Sequence, residues 1–363
     1  GGSMAMDPSG AAGGRMITTT TREGQRGAAL AAAARELAGF TIRARNLRLM
    51  GMIDDLTRML TKEGIRVLFL KESGLALSHY GNGRFRMMGD IDLLLSPDEI
   101  ERVVAMLERA GYQSAEVLWT KEHFRLRHHH AAPLVHADLA VKIEPHRTIA
   151  LHVLMGSEPA GMIDEMAAAA VRVDARSWCF TPADTLFHLC MDLWGSAFIG
   201  KMGQLCDARE VIRQGGVEWE LLEQRARSCS AEAHLAFSLR LLARFQAPVP
   251  PNLLVRLAGA RKPSFDARRL RKMAERNLLG FVRSRARLSR AGEKLLFHAL
   301  CRPGGWPARA AFLMKRYLYL GEGGDGMGEL SLRSRPTTRR ALSRMLTLPL
   351  RAVKRWTGSR RIP

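Results

Sequence analysis

Asp90-Ile91-Asp92 stands at the head of an unbroken apolar run, Leu93-Leu94-Leu95, and this pairing constrains the chain more than any other stretch. Side chains two apart on a β-strand share a face. Asp90 and Asp92 therefore project together from a strand whose other residues are made for burial. Neighbouring carboxylates repel and are costly to desolvate. A divalent cation removes that repulsion and is the usual reason to build such a pair. The bland alternative is an Asp-x-Asp at a strand edge where water solvates both acids. The surroundings argue against it. Val67-Leu68-Phe69-Leu70 reads as a buried strand and ends at the polar turn Lys71-Glu72-Ser73-Gly74. Leu75 to Tyr80 reads as a helix, Gly81-Asn82-Gly83 as a turn, and the strand with both acids follows.

Composition bounds the rest. With 363 residues the chain is long enough for two or three domains. No apolar run reaches the length of a membrane span. Gly1-Gly2-Ser3-Met4 reads as a cloning remnant, and no export signal follows. Cys179, Cys190, Cys206, Cys229 and Cys301 lack metal-ligand spacing, which fits thiols in a reducing cytoplasm. Lys and Arg number 56 against 35 Asp and Glu, a net charge of +21 that attracts polyanions without choosing among them.

The pattern divides the chain into four parts. Residues 1–26 are a tag or unstructured arm. Residues 27–178 hold two N-terminal helices and the strand region with both acids. Residues 179–330 are mainly helical, opened by Thr181-Pro182-Ala183-Asp184. Residues 331–363 form a basic tail with ten Lys or Arg and no acid. Its interleaved Leu342, Met345, Leu346, Val353 and Trp356 suit a membrane surface, RNA or the protein's own body. Ser96-Pro97-Asp98-Glu99 starts a helix that stops near Gly111.

A third acid comes from Val141-Lys142-Ile143-Glu144-Pro145-His146, where alternation predicts a half-buried strand with Glu144 and His146 on one face. Pro145 cannot donate to a ladder, so this strand is expected at an edge or near its end. His128-His129-His130 reads as a polar, partly exposed strand. Adjacent histidines on a strand cannot all face one ion, which argues against structural zinc.

Together these segments resemble the nucleotidyltransferase superfamily with a polymerase-beta-like palm, and most of all its uncharacterised nucleotidyltransferase family 5 branch. The resemblance rests on Leu70-Lys71, on Tyr80 and on Arg86-Met87-Met88-Gly89-Asp90-Ile91-Asp92-Leu93-Leu94-Leu95. It continues in His129-His130-Ala131-Ala132-Pro133-Leu134, Glu144-Pro145-His146, Leu186-Phe187-His188-Leu189-Cys190 and Leu205-Cys206-Asp207. It spans roughly residues 30–320.

The resemblance implies an α+β fold: a small palm sheet with flanking helices, a mainly helical region and the basic tail. It implies that Asp90, Asp92 and Glu144 hold two Mg2+ ions, with Mn2+ the alternative. It assigns phosphate contacts to Lys71, Ser73 and Arg86, and a donor or acceptor pocket to His130, His146, Lys201 and Asp207. One position departs from the pattern. Glu72 stands where the superfamily carries a glycine, and a carboxylate there repels a triphosphate unless a metal or Lys71 offsets it.

The leading expectation is a cytoplasmic enzyme that moves NMP from an NTP to a hydroxyl or phosphate of a small molecule or peptide. Natural-product tailoring fits that chemistry. The alternatives are transfer of a sugar from a nucleotide-sugar, nucleotide addition to an RNA 3′ end, and a non-catalytic binder. Aromatic content of 6% disfavours a base-stacking platform for RNA.

Overall fold

A computed structural model describes residues 44–81, 86–115, 124, 128–136, 141–149, 159, 161–260, 267–279 and 297. The fold is α+β. Among the described residues seven strands form one mixed sheet: β1 (Val67–Leu70), β2 (Asp90–Leu94), β3 (Tyr112–Ser114), β4 (Leu134–His136), β5 (Val141–His146), β6 (Val171–Arg172) and β7 (Ser177–Cys179). The spatial order is β3-β4-β5-β2-β1-β7-β6. β2 lies at the centre, antiparallel to β1 and parallel to β5.

All four residues of β1 and the last four of β2 are buried, because helices cover both faces of the sheet. On one face Val67, Phe69, Ile91, Leu93, Val141 and Ile143 pack against two helices. These are α1 (residues 44–62) and α3 (Pro97–Arg109). Pro97 sits in the first turn of α3, and Glu99 Oε2 accepts from the Ser96 backbone N–H at 3.2 Å. On the other face Leu68, Leu70 and Leu94 join the core of the helical layer. That layer comprises α4 (Met162–Ala168), α5 (Pro182–Gly195), α6 (Met202–Gln214), α7 (Trp219–Ser228), α8 (Glu232–Arg244), α9 (Pro251–Ala260) and α10 (Ala267–Leu279). Thr181 caps α5 by accepting from Asp184 N at 3.1 Å. No described helix is long and apolar enough to cross a membrane. The four described cysteines are free thiols.

Three local readings change. The polar turn after β1 does not exist as a loop. Lys71 turns the chain in one step at φ +46°, and α2 (Lys71–Ser78) starts there. A non-glycine residue in the left-handed region carries strain that the surroundings must hold. β5 lies inside the sheet rather than at its edge, and of the two alternatives the strand end holds, since β5 stops at His146, one residue past Pro145. Pro145 is tolerated because β4 pairs no further than Ile143, and the Pro145 carbonyl accepts from Ala131 N at 2.8 Å instead. Residues 128–130 form a bend, with only an isolated bridge from His130 to His146. The first helix expected N-terminal to α1, residues 82–85 and the basic tail lie outside the described residues.

Candidate active site

Asp92 is the register partner of Glu144 in the parallel pair β2–β5, Asp90 that of Lys142, and Leu94 that of His146. Partners in a ladder share a face. Asp90, Asp92, Lys142, Glu144 and His146 therefore form one polar patch on the face that meets the helical layer. Asp92 and His146 are fully buried, Glu144 nearly so, and Asp90 half-buried.

Cations answer these acids. Lys71 Nζ lies 2.8 Å from Asp92 Oδ1 and 3.9 Å from Glu144 Oε2. His146 Nε2 is 2.8 Å from the same Asp92 oxygen and 3.7 Å from Glu144 Oε2. Lys142 Nζ bridges Asp90 Oδ2 at 2.9 Å and Glu144 Oε1 at 2.7 Å. His130 Nε2 stands 3.9 Å from Glu144 Oε2. Asp92 Oδ2 is buried with no hydrogen-bond partner.

The charges follow from this geometry. Burial alone would raise the Asp92 pKa, but Lys71 and His146 outweigh it and hold the carboxyl below its usual range. Glu144 behaves alike: burial opposes ionisation, and His146, His130, Lys71 and Lys142 reverse it. Asp90 is pushed up, first by burial and then by the neighbouring Asp92 charge, against Lys142. Burial works against the Lys71 ammonium, yet Asp92, Asp192 and Glu144 raise its pKa above the usual lysine range. His130 is lowered to about 4, chiefly by burial, so its ring is neutral near pH 7.

The other residues singled out from sequence are brought near this patch in different ways. Ser73 is fully buried. Its Oγ donates to Leu70 O at 2.8 Å and accepts from Asp92 N at 3.3 Å, tying α2 to β2. Arg86 grips buried Asp207 on α6 with Nε at 2.7 Å and a second nitrogen at 2.8 Å. Tyr80 donates to the same carboxylate at 2.9 Å. Glu72 turns toward this strap, accepting from Arg86 at 3.0 Å and from Gly89 N at 3.0 Å. The carboxylate that replaces the expected glycine thus shares Arg86 with Asp207 and holds the backbone N–H of Gly89, one residue before Asp90. The close packing falls on Gly74 instead, where a Cβ would stand 2.6 Å from Phe69 O. Lys201 pairs with Asp192 on α5 at 3.0 Å.

Three participants were missed. Lys142 shares the face of Glu144 by the period of two, and alternation alone could have placed it there. His188 and Asp192 lie one helical turn apart on α5 and act electrostatically on Lys71. His188 stands in the motif Leu186-Phe187-His188-Leu189-Cys190, and Asp192 four residues further on was the available signal. Burial opposes ionisation of Asp192, but Lys201 and Lys71 keep it charged. His188 is lowered to about 3, chiefly by burial.

Donor atoms of Asp92, Glu144 and His146 all lie within 4.8 Å of one another, as do those of His128, His129 and His130. The first group suits a divalent cation: it has two ionised carboxylates, and one buried oxygen has no other partner. A nucleotidyl transfer needs such a group of acids on one wall, with fixed positive charge beside it.

Comparison with curated proteins and with solved structures gives no match. A family model described as uncharacterised nucleotidyltransferase matches residues 25–246, which include the whole sheet and α5 through α8. The chain belongs to this family and is an enzyme of the nucleotidyltransferase type.

Proposed function

We propose that the enzyme transfers a nucleoside monophosphate from a nucleoside triphosphate to a hydroxyl or phosphate of a small molecule or peptide, with Mg2+ or Mn2+ held by Asp90, Asp92 and Glu144. The observation that carries this reading is the register pairing of Asp92 with Glu144, which sets three carboxylates on one wall. The new bond joins the acceptor oxygen to the α-phosphorus, the bond to the β-phosphate oxygen breaks, and pyrophosphate leaves with the proton lost to solvent. A divalent ion at this wall supplies neutralisation of the triphosphate.

The chain's own residues do the rest. Lys71, fixed by its ion pair with Asp92, presents positive charge to the phosphates. Glu144 stays ionised and accepts a hydrogen bond from the attacking hydroxyl. Ser73, Arg86 and Asp207 hold these groups in place rather than touching the donor. His130, His146 and Lys201 line the pocket wall. The net charge of +21 favours an anionic acceptor.

Calorimetric titration of each NTP and of UDP-sugars, with Mg2+ or Mn2+, into wild type and Asp90→Asn tests the reading. Metal-dependent binding of an NTP that the variant loses supports it. Binding of a nucleotide-sugar alone redirects the chemistry to glycosyl transfer, and binding of no donor sinks the transferase reading.

A further inference from the structure

We infer that the metal ion of this site is ligated by nitrogen as well as oxygen, through His130 Nε2 beside Glu144, and that the site therefore selects Mn2+- or Zn2+-class ions over Mg2+. The inference rests on the metal-dependent reading above and names the ion that serves it.

His130 Nδ1 lies 2.6 Å from the carbonyl oxygen of Ala131. A carbonyl only accepts, so Nδ1 carries the hydrogen. In the neutral ring this leaves Nε2 bare, with its lone pair available. Metal-binding histidines commonly donate their other nitrogen to a backbone carbonyl in this way, which fixes both tautomer and ring orientation. The bare Nε2 stands 3.9 Å from Glu144 Oε2. Two donors bound at about 2.1 Å to one ion stand about 3–4 Å apart, so the gap suits a shared ion.

The segment that carries the ring is held from several sides. Ala131 N donates to Pro145 O at 2.8 Å, and Arg147 N donates to His129 O at 2.9 Å. The His130 ring stacks on Phe124 with centroids 5.4 Å apart. His146 Nε2 is committed elsewhere, since it donates to Asp92 Oδ1 at 2.8 Å. Lys71 faces that oxygen at 3.9 Å but is committed to Asp92 at 2.8 Å.

Donor chemistry then decides the ion. Mg2+ takes oxygen ligands in a strict octahedron and dehydrates reluctantly. Mn2+ and Zn2+ accept imidazole together with carboxylate. A site offering the bare His130 Nε2 beside the Glu144 carboxylate fits the second class.

The test is pulsed electron paramagnetic resonance of Mn2+ added to the full chain, for wild type and His130→Ala, with Mg2+ competition followed in parallel. We expect imidazole 14N coupling in wild type and its reduction in H130A. Mn2+ affinity should fall at least about tenfold in the variant. Wild-type Mn2+ should resist displacement by a large excess of Mg2+. Bound Mn2+ with oxygen-only coupling in wild type overturns this inference and leaves metal-dependent transfer standing. Coupling unchanged in H130A removes His130 from the ligand set. Mn2+ that does not bind at all overturns both readings.

Discussion

Lys142 is an internal cation lodged between two of the acids, so removing it should tighten metal binding. Its ammonium lies 2.9 Å from Asp90 and 2.7 Å from Glu144, and its side chain is 38% exposed. That exposure lets solvent screen both pairs, which limits each to about 0.5–1 kcal/mol. An entering divalent ion must displace or weaken both. Lys142→Met keeps the aliphatic stem and removes the charge. The ion then no longer competes against about 1–2 kcal/mol, which corresponds to a gain of about 5- to 30-fold in affinity. Without metal the same variant should be about 1–2 kcal/mol less stable, because Asp90 and Glu144 face each other and Asp92 with less counter-charge. Mn2+ calorimetry at physiological ionic strength reads the first effect, and urea unfolding with and without Mn2+ reads the second. Lys201→Met is the control, since it removes the same charge from a residue that pairs with Asp192 instead. Equal or weaker Mn2+ binding in K142M would refute the reasoning. So would an equal gain in K201M, which would mean that diffuse charge rather than the bridge sets the affinity.

Asp207→Asn should cost about 1–3 kcal/mol in urea unfolding, because a buried carboxylate that accepts from Arg86 twice and from Tyr80 loses its charge while Glu72 still faces Arg86. A loss below about 1 kcal/mol would mean that the strap is not structural. Gly74→Ala should destabilise by about 2–3 kcal/mol, since the new Cβ meets the Phe69 carbonyl, a backbone atom with no rotamer to escape to. An unchanged unfolding midpoint would show that α2 can lift off β1 freely. Acid unfolding tests the charges. Asp92 and Glu144 have folded pKa values below their usual range, so their stability is present above their unfolded values near 4 and is lost as pH falls through the folded values. Asp90, raised in the fold, acts in the opposite sense. The urea midpoint of wild type should therefore fall steeply below about pH 4, and Asp92→Asn should flatten that limb. Parallel pH curves for the two proteins would count against the assigned charges.

Much of the fold was legible because it is written in short-range patterns. The run Leu93-Leu94-Leu95 and the stretch Val67-Leu68-Phe69-Leu70 have the composition of strands covered on both faces, and β2 and β1 lie next to each other in the centre of the sheet. Ser96-Pro97 and Thr181-Pro182 mark helix starts by local chemistry, and α3 and α5 begin at those prolines. What failed depended on partners far along the chain. Pro145 argued for an edge or a strand end, and the strand does end one residue later; that it lies inside the sheet is set by where β4 stops, about ten residues earlier in sequence. The bend at residues 128–130 is held by Pro145 and Arg147, and nothing within the three histidines announces it.

The site separates along the same line. The period of two was enough to put Asp90 with Asp92, and Glu144 with His146. That the two strands are adjacent, parallel and in register is a tertiary fact, and only that fact brings Asp92 opposite Glu144. Charge type was legible, but charge partners were not. Arg86 and Lys71 both suit phosphate by chemistry, yet Arg86 already donates to Asp207 and Glu72, while Lys71 stays beside Asp92 and Glu144. The substitution of Glu for glycine at position 72 reads as hostile to a triphosphate only until Arg86 is placed against it. Once Glu72, Arg86, Asp207 and Tyr80 are taken as one part-buried network, the glycine's absence has a cost and a compensation within the same turn of structure. The carboxylate shares Arg86 with Asp207, and it accepts from Gly89 N, the residue before Asp90. The carboxylate that sequence reading sets against a triphosphate is, in three dimensions, also a hydrogen-bond acceptor for the residue before Asp90.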